Sequence, residues 1–347
     1  MMKTVGSWMM RALRSRVGRR GALASALGVS VLVLSSCFVF AAPQGSGISA
    51  PAADPSLLAT TSGYYLYTTN VCFYRVPVRS SGTYTGNWSP PREALPTPAL
   101  WAVGNYWAPD VVQVGSTYYM YYSASVTSNR PYNGNNSEHA IGVACSSSPL
   151  GPFTDCSLAP YGFPAPVVRE GNLLGAIDAE AVFDYGTQRY FLLWSVDWGP
   201  GGRRPNSPRA IKGCRLATNM KQCDTNPVEI LHAANGGWEL GTVENPAMVW
   251  GGDNQWHLFY SGGNFENAYA TGEATCGAAL LAACTRIGSG PALGDGWNGL
   301  SNIGGLDLFP VYYGVYGAVF HASGDFNPAG GDPRTVSTTT VTWQNPQ

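Results

Sequence analysis

Five times along this 347-residue chain an acidic residue beside Pro or Ala opens a short apolar strand, a Gly-containing turn follows, and an aromatic strand returns. The first copy is Asp54-Pro55-Ser56 with Tyr64-Tyr65-Leu66-Tyr67. The second is Ala108-Pro109-Asp110-Val111 with Tyr118-Tyr119-Met120-Tyr121-Tyr122. The third is Ile177-Asp178-Ala179 with Tyr190-Phe191-Leu192-Leu193-Trp194, and the fourth Glu244-Asn245-Pro246 with Trp256-His257-Leu258-Phe259-Tyr260. A worn fifth copy runs from Asp307 to Val319-Phe320-His321. The acidic residues lie 56, 68, 66 and 63 positions apart. Units of this length, each with several short strands, match radial repetition around an axis. A β-solenoid needs shorter periods, and an α/β fold needs amphipathic helices that are not found between these strands. The expected fold is therefore all-β, a five-bladed β-propeller. The first strand of each blade lines the channel of such a ring, so the acidic residues that open those strands should meet at one mouth.

Composition agrees with many strands and turns. Gly (43) and Pro (25) make up about a fifth of the chain, yet only 12% of residues are charged, which excludes a disordered polyelectrolyte. The net charge of −1 hides an asymmetry. Residues 1–53 hold Lys3, Arg11, Arg14, Arg16, Arg19 and Arg20 and no acid, leaving a body of 14 basic and 21 acidic residues. An acidic body makes nucleic acid a poor partner, because phosphate binding needs a basic face.

The basic stretch through Arg20 precedes an apolar run from Ala22 to Leu34, the pattern of an export signal. Two endings fit it. Leu34-Ser35-Ser36-Cys37 resembles a lipobox, whose Cys is acylated and becomes the first mature residue; Val39-Phe40-Ala41 fits cleavage after a small residue. The chain thus divides into a signal peptide over 1–41, a flexible linker over 42–53 and a propeller over 54–347. Export predicts an extracellular protein or one lipid-anchored at the cell surface, a monomer touching the membrane only through that anchor. The eight Cys suit an oxidising compartment. Six form close pairs around turn-rich loops, Cys145/Cys156, Cys214/Cys223 and Cys276/Cys284, and a bridge in each would tie neighbouring strands. Cys72 reads as a buried small hydrophobe.

The set Ala53-Asp54-Pro55-Ser56, Trp107-Ala108-Pro109-Asp110-Val111, Ala176-Ile177-Asp178 and Val243-Glu244-Asn245-Pro246 resembles glycoside hydrolase family 43. His139-Ala140-Ile141-Gly142-Val143-Ala144, Pro149-Leu150-Gly151-Pro152-Phe153 and Tyr260-Ser261-Gly262-Gly263 extend the resemblance, which covers about 54–347 in order. It implies a five-bladed propeller and inverting hydrolysis, with Asp54 as general base, Asp178 orienting and tuning the acid, and Glu244 as general acid. The implied substrates are α-L-arabinofuranosides in arabinan-type poly- or oligosaccharides, with β-xylosides or galactofuranosides as the alternative.

The chemistry of the residues points the same way. Inversion needs one protonated carboxyl for the leaving oxygen and one carboxylate to activate water, roughly 6.5–9.5 Å apart. Crowded carboxyls cannot all ionise, so their pKa values separate. An Asp before Pro is by itself a common turn residue, so the constellation carries the reading rather than any single member. Trp107, Asp110 and His139 are the candidate substrate contacts, Trp107 as a platform for the C–H face of a sugar. Asp307 and His321 read as structural. The departure from the family pattern is Glu180, a second acid two residues beyond Asp178. The four His are scattered and the Cys pairs lack zinc spacing, so no metal and no cofactor is expected. A propeller that binds glycan without cutting it is the rival reading.

Overall fold

The computed structural model describes residues 38–48, 51–126, 138–158, 164–170, 175–197, 209–312, 314–322 and 334–344. Its regular elements there are strands, apart from two short 3-10 turns, Gly237–Glu239 and Trp297–Gly299. Two short strands come first, β1 (Phe38–Phe40) and β2 (Gln44–Gly45). Blade one holds β3 (Ser56–Thr60), β4 (Gly63–Tyr67), β5 (Pro77–Ser81) and β6 (Arg92–Glu93). Blade two holds β7 (Ala102–Val114), β8 (Thr117–Val126), β9 (His139–Ser146) and β10 (Thr154–Asp155). Blade three holds β11 (Gly175–Asp184), β12 (Arg189–Asp197), β13 (Ala210–Arg215) and β14 (Val228–His232). Blade four holds β15 (Glu244–Trp250), β16 (Trp256–Asn264), β17 (Ala268–Thr275) and β18 (Thr285–Arg286). Blade five holds β19 (Gly304–Tyr312), β20 (Val315–Ala322) and β21 (Thr335–Trp343). Each blade is an antiparallel meander, and the five sheets form the expected β-propeller.

The aromatic runs follow from packing on both faces. Successive side chains of a strand point to opposite faces. In a propeller each face meets another blade, so the second strand must be apolar at every step. Tyr122 packs in the core between blades one and two, while Tyr121 packs between blades two and three. Leu192 and Leu193 divide in the same way between the cores before and after blade three. Tyr260 and Phe259 do so around blade four. Phe309, Val319 and Val336 of blade five close onto Leu57 and Leu66 of blade one. Each such fully buried side chain contributes roughly 1.5–3 kcal/mol, so the five inter-blade cores dominate the stability.

Blade five is completed by the beginning of the described chain. Phe38 pairs with Trp343 and Phe40 with Val341, so β1 runs antiparallel along the outer edge of β21. Further along that edge Gln44 pairs with Thr338, and the Ala41 amide donates to the Thr340 carbonyl at 2.9 Å. Phe38 sits edge-on to Phe259 at 5.4 Å and to Trp343 at 4.8 Å, with 5% of its surface exposed. This corrects the boundary expected from sequence. In the tether expected over 42–53, Gln44 and Gly45 form a strand, and Ser46, Ala52 and Ala53 are buried. Small residues allow close approach to a neighbouring strand as readily as they allow freedom.

Three disulfides join Cys145 to Cys156, Cys214 to Cys223 and Cys276 to Cys284. Each lies at the outer strands of blades two, three and four, away from the channel. Cys72, expected to be buried, is exposed. It sits in the tight turn closed by the Val71–Tyr74 bridge, with φ +51°, where no blade covers it.

Candidate active site

One backbone feature recurs in all five blades. Asp54, Ala108, Asp178, Asn245 and Gly305 have φ values of +48°, +40°, +56°, +47° and +58°, each within or just before an innermost strand. In blades two to five the pairing register slips around that residue, as between Ile177 and Glu180 or Glu244 and Ala247. Left-handed backbone costs a non-glycine residue about 1–2 kcal/mol. Here the preceding blade holds it. The Ala108 amide donates to Thr69 Oγ1 at 3.0 Å, Asp178 to Ser123 Oγ at 3.0 Å and Gly305 to Ser261 Oγ at 2.9 Å. Asn245 donates to Asp178 Oδ2 at 3.1 Å, and Asp54 to His321 Nδ1 at 3.1 Å. Bulges of this kind re-aim side chains.

These left-handed positions set a register different from that of the acids. Asp54 and Asp178 occupy them, and Glu244 lies one residue before. Asp110 lies two residues beyond, in a layer with Ser56, Glu180, Ala247 and Asp307. Two residues along a strand is about 7 Å, so this layer is one step along the channel from the mouth. Its acids join blades. Asp110 accepts the Ala181 amide at 2.8 Å and the Ser56 hydroxyl at 3.1 Å, and Asp307 accepts the Leu57 amide at 2.6 Å. Burial raises Asp110 to about 6 and Asp307 to about 7. Glu180 is raised well above the usual range by burial and then by the charges of Asp110 and Asp307. Glu180 therefore answers to this inner layer rather than to Glu244. Asp110, expected as a sugar contact, has both carboxyl oxygens committed to neighbouring blades.

Asp54 and Asp178 line one cavity with Asn245 and Gly305, and Asp110, Glu180 and Asp307 of the neighbouring layer line the same cavity. Glu244 precedes Asn245 on β15. Asp54 accepts the Thr69 hydroxyl at 2.7 Å, with His321 Nδ1 and Arg334 each 3.6 Å from its other oxygen. Glu244 is held on both oxygens. Tyr269 donates to Oε1 at 2.7 Å, and Arg209 contacts Oε2. Asp178 is raised well above the usual carboxylate range by burial, then by the charges of Glu244 and Asp54. Glu244 is raised by burial against the pull of Arg209 and Tyr269. The arrangement thus brings together three carboxyls in unlike surroundings, one beside Arg334 and the Thr69 hydroxyl, one raised by burial and by neighbouring acids, and one clamped by arginine. It can hold a proton on one carboxyl while another stays charged.

A profile of the glycosyl hydrolases family 43 matches residues 48–286. The chain belongs to glycoside hydrolase family 43. A thermostable family 43 hydrolase superposes with a TM-score of 0.70 at 21% identity, over 88% of this chain and 96% of that one. An α-L-arabinofuranosidase from Lactobacillus brevis gives 0.67 at 18%, over 87% and 94%. An endo-arabinase from Bacteroides thetaiotaomicron gives 0.63 at 18%, over 89% and 98%. These likenesses establish the fold. Among curated proteins, a probable arabinan endo-1,5-α-L-arabinosidase C of Aspergillus niger is 35% identical over 100 residues. The match spans 27% of this chain and 28% of that protein.

The remaining candidates, Trp107 and His139, lie on β7 and β9 of blade two. Trp107 is half-buried and stacks on His139, ring centres 4.3 Å apart. His139 is 1% exposed, with Nε2 3.4 Å from Ser125 Oγ. This corrects the expectation that His139 meets a sugar hydroxyl; it is the seat on which Trp107 rests. Sequence reasoning missed Thr69, Asp197, Arg209, Tyr269 and Arg334, and took His321 only as packing. Tyr269 lies in a third strand, which the two-strand repeat does not include. Arg209 was hidden at the end of an Arg- and Gly-rich loop.

Proposed function

We propose that this protein is an exported, inverting glycoside hydrolase that cleaves α-L-arabinofuranosyl linkages in arabinan or its oligosaccharides. Asp54 acts as general base, Asp178 tunes and orients the acid, and Glu244 is the general acid. The observation that carries this reading is the meeting of Asp54, Asp178 and Glu244 from three blades in three different electrostatic settings. The Thr69 hydroxyl donates to the Asp54 carboxyl and Arg334 lies 3.6 Å from its other oxygen, a setting that suits the water-activating role. Burial favours a protonated Glu244, which can give its proton to the leaving oxygen. Trp107 on its His139 seat provides a face for the sugar.

Arabinan is favoured over other glycans by the Aspergillus niger relative and by the arabinan-cleaving structural neighbours. An endo-1,4-β-xylanase from Bacteroides thetaiotaomicron, TM-score 0.63 at 24% identity, supports xylosides as the second substrate class. The test is sugar release from aryl arabinofuranosides, aryl xylosides and linear arabinan by wild type and Glu244→Gln. The substitution should lower kcat/KM about 10²–10⁴-fold on the preferred substrate. Equal release by both proteins removes Glu244 from the mechanism. Binding without release from any glycan favours the non-catalytic propeller.

Export is supported by the basic and apolar N-terminal segment and by the three bridges. Of the two processing positions, the one before Cys37 keeps β1 on blade five, whereas cleavage after Ala41 removes it. That pairing supports processing before Cys37, with an acylated Cys37 as the first mature residue. Intact mass of the exported protein checks this; a chain beginning at Ala42 overturns it.

A further inference from the structure

The hairpin connection between β12 and β13 leaves at Asp197 and returns at Arg209. These two residues form an ion pair, Arg209 Nη2 to Asp197 Oδ1 at 2.9 Å, so they close the neck of that connection. The other arm of the same guanidinium reaches Oε2 of Glu244 in the next blade. All three side chains are largely withdrawn from water, with exposures of 16%, 14% and 10% for Arg209, Asp197 and Glu244. A planar guanidinium offers donors in a fixed fork, and here the fork spans two carboxylates on different blades. Neither the repeat nor the acids themselves require a cation here.

We propose that Arg209 is a positioning residue that fixes the carboxyl of Glu244 from the neck of the β12–β13 connection, with Asp197 fixing the guanidinium in turn. The proposal rests on Glu244 being the acid, and it adds what aims and charges that acid. Five groups face Glu244 from the elements around it: Arg209 and Asp197 of blade three, Asp178 on β11, Tyr269 on β17, and Asp54 before β3. Within this set Arg209 draws the proton off Glu244, whereas Asp197 favours its retention. The pair therefore acts on the acid with opposite signs. A residue that merely braced the loop would act on it with neither.

The test uses Arg209→Gln, Arg209→Lys and Asp197→Asn in the full exported chain. Removing the cation should move the alkaline limb of kcat/KM upward by about one pH unit, because an opposite charge at this range shifts a carboxyl by roughly 1–3 units. Removing the Asp197 charge should move the same limb downward. Arg209→Lys should bring the limb back toward wild type yet leave kcat depressed, because a point charge does not hold two carboxylates in one plane. Loss of aim should appear in kcat, about 10–100-fold, with little change in KM.

The same titration is read without turnover by NMR of 13C-labelled glutamate carboxyls, with Glu244→Gln identifying the resonance. That readout separates this proposal from the proposed reaction. An inactive wild type whose Glu244 still shifts in opposite directions rejects the reaction and keeps the coupling. Shifts of the same sign in Arg209→Gln and Asp197→Asn, or none in either, overturn the coupling. Asp197→Asn changes shape little, so it remains informative should Arg209→Gln fail to fold.

Discussion

At the scale of single residues, the left-handed positions decide what each acid does. A carboxyl on or just before the position joins the mouth, and one two residues later joins the inner layer. Gly305 shows how little room there is: a Cβ there would lie 2.7 Å from His321 Nδ1 and 3.3 Å from the Asp54 Cα. Gly305→Ala should therefore displace His321 and Asp54 together and reduce kcat by an order of magnitude or more, about as expected for a shift near 1 Å. Wild-type kinetics in that variant would show that Asp54 does not depend on this contact. The inner acids carry a second prediction. Asp110 and Asp307 are held near 6 and 7 in the fold, above their unfolded values. Between pH 4 and pH 7 the folded state thus binds more protons than the unfolded one, and stability falls as pH rises. The melting temperature should be higher at pH 5 than at pH 7.5, and Asp307→Asn should flatten that slope. A slope of the opposite sign, or one untouched by the substitution, would reject these acids as its source.

At the scale of elements, β1 is a three-residue strand with a large effect. It covers the edge of β21 and inserts Phe38 among Phe259, Trp343 and Tyr316. An uncovered outer edge would expose a row of unpaired backbone groups. Phe38→Ala should cost about 3–5 kcal/mol in urea unfolding, as for other large-to-small changes at buried aromatics. A change below about 1 kcal/mol would mean that β1 is not seated on blade five in solution. The legibility of elements varied for a physical reason. Inner and second strands are buried on both faces and advertise themselves as apolar or aromatic runs, so four of the five copies stood out. Fourth strands such as β6 with Arg92 are two residues long and partly exposed, and the third strand β17, though mostly buried, is built of small residues around Tyr269, so neither carries a comparable apolar or aromatic run.

At the scale of the whole molecule, the ring separates its fastenings from its chemistry. The disulfides tie outer strands of blades two, three and four, whereas the carboxyls sit on or just before innermost strands. Reduction should therefore lower thermal stability, by about 2–3 kcal/mol for each short loop released, while kcat/KM at 25 °C stays at the wild-type level. Activity lost in step with the thiols released, at a temperature where the chain is still folded, would place the bridges in the catalytic machinery. The ring also explains how acids 66 and 124 or more positions distant in sequence share one mouth: each blade delivers its first strand to the same axis.

The sequence alone determined the repeat, the number of blades and the three bridges, and it named the three acids proposed for the reaction. Each of these leaves a local trace, since burial on two faces, a tight turn or a short Cys spacing must be written into neighbouring residues. Tertiary structure decided the rest. It placed Asp110 and Glu180 one layer further along the same cavity, bonded or coupled across blades, turned an apparent tether into part of blade five, and brought Arg209, Tyr269 and His321 to the acids. Those assignments depend on which strand of one blade faces which strand of the next, and charge and hydrogen bonding across that gap have no sequence period to betray them.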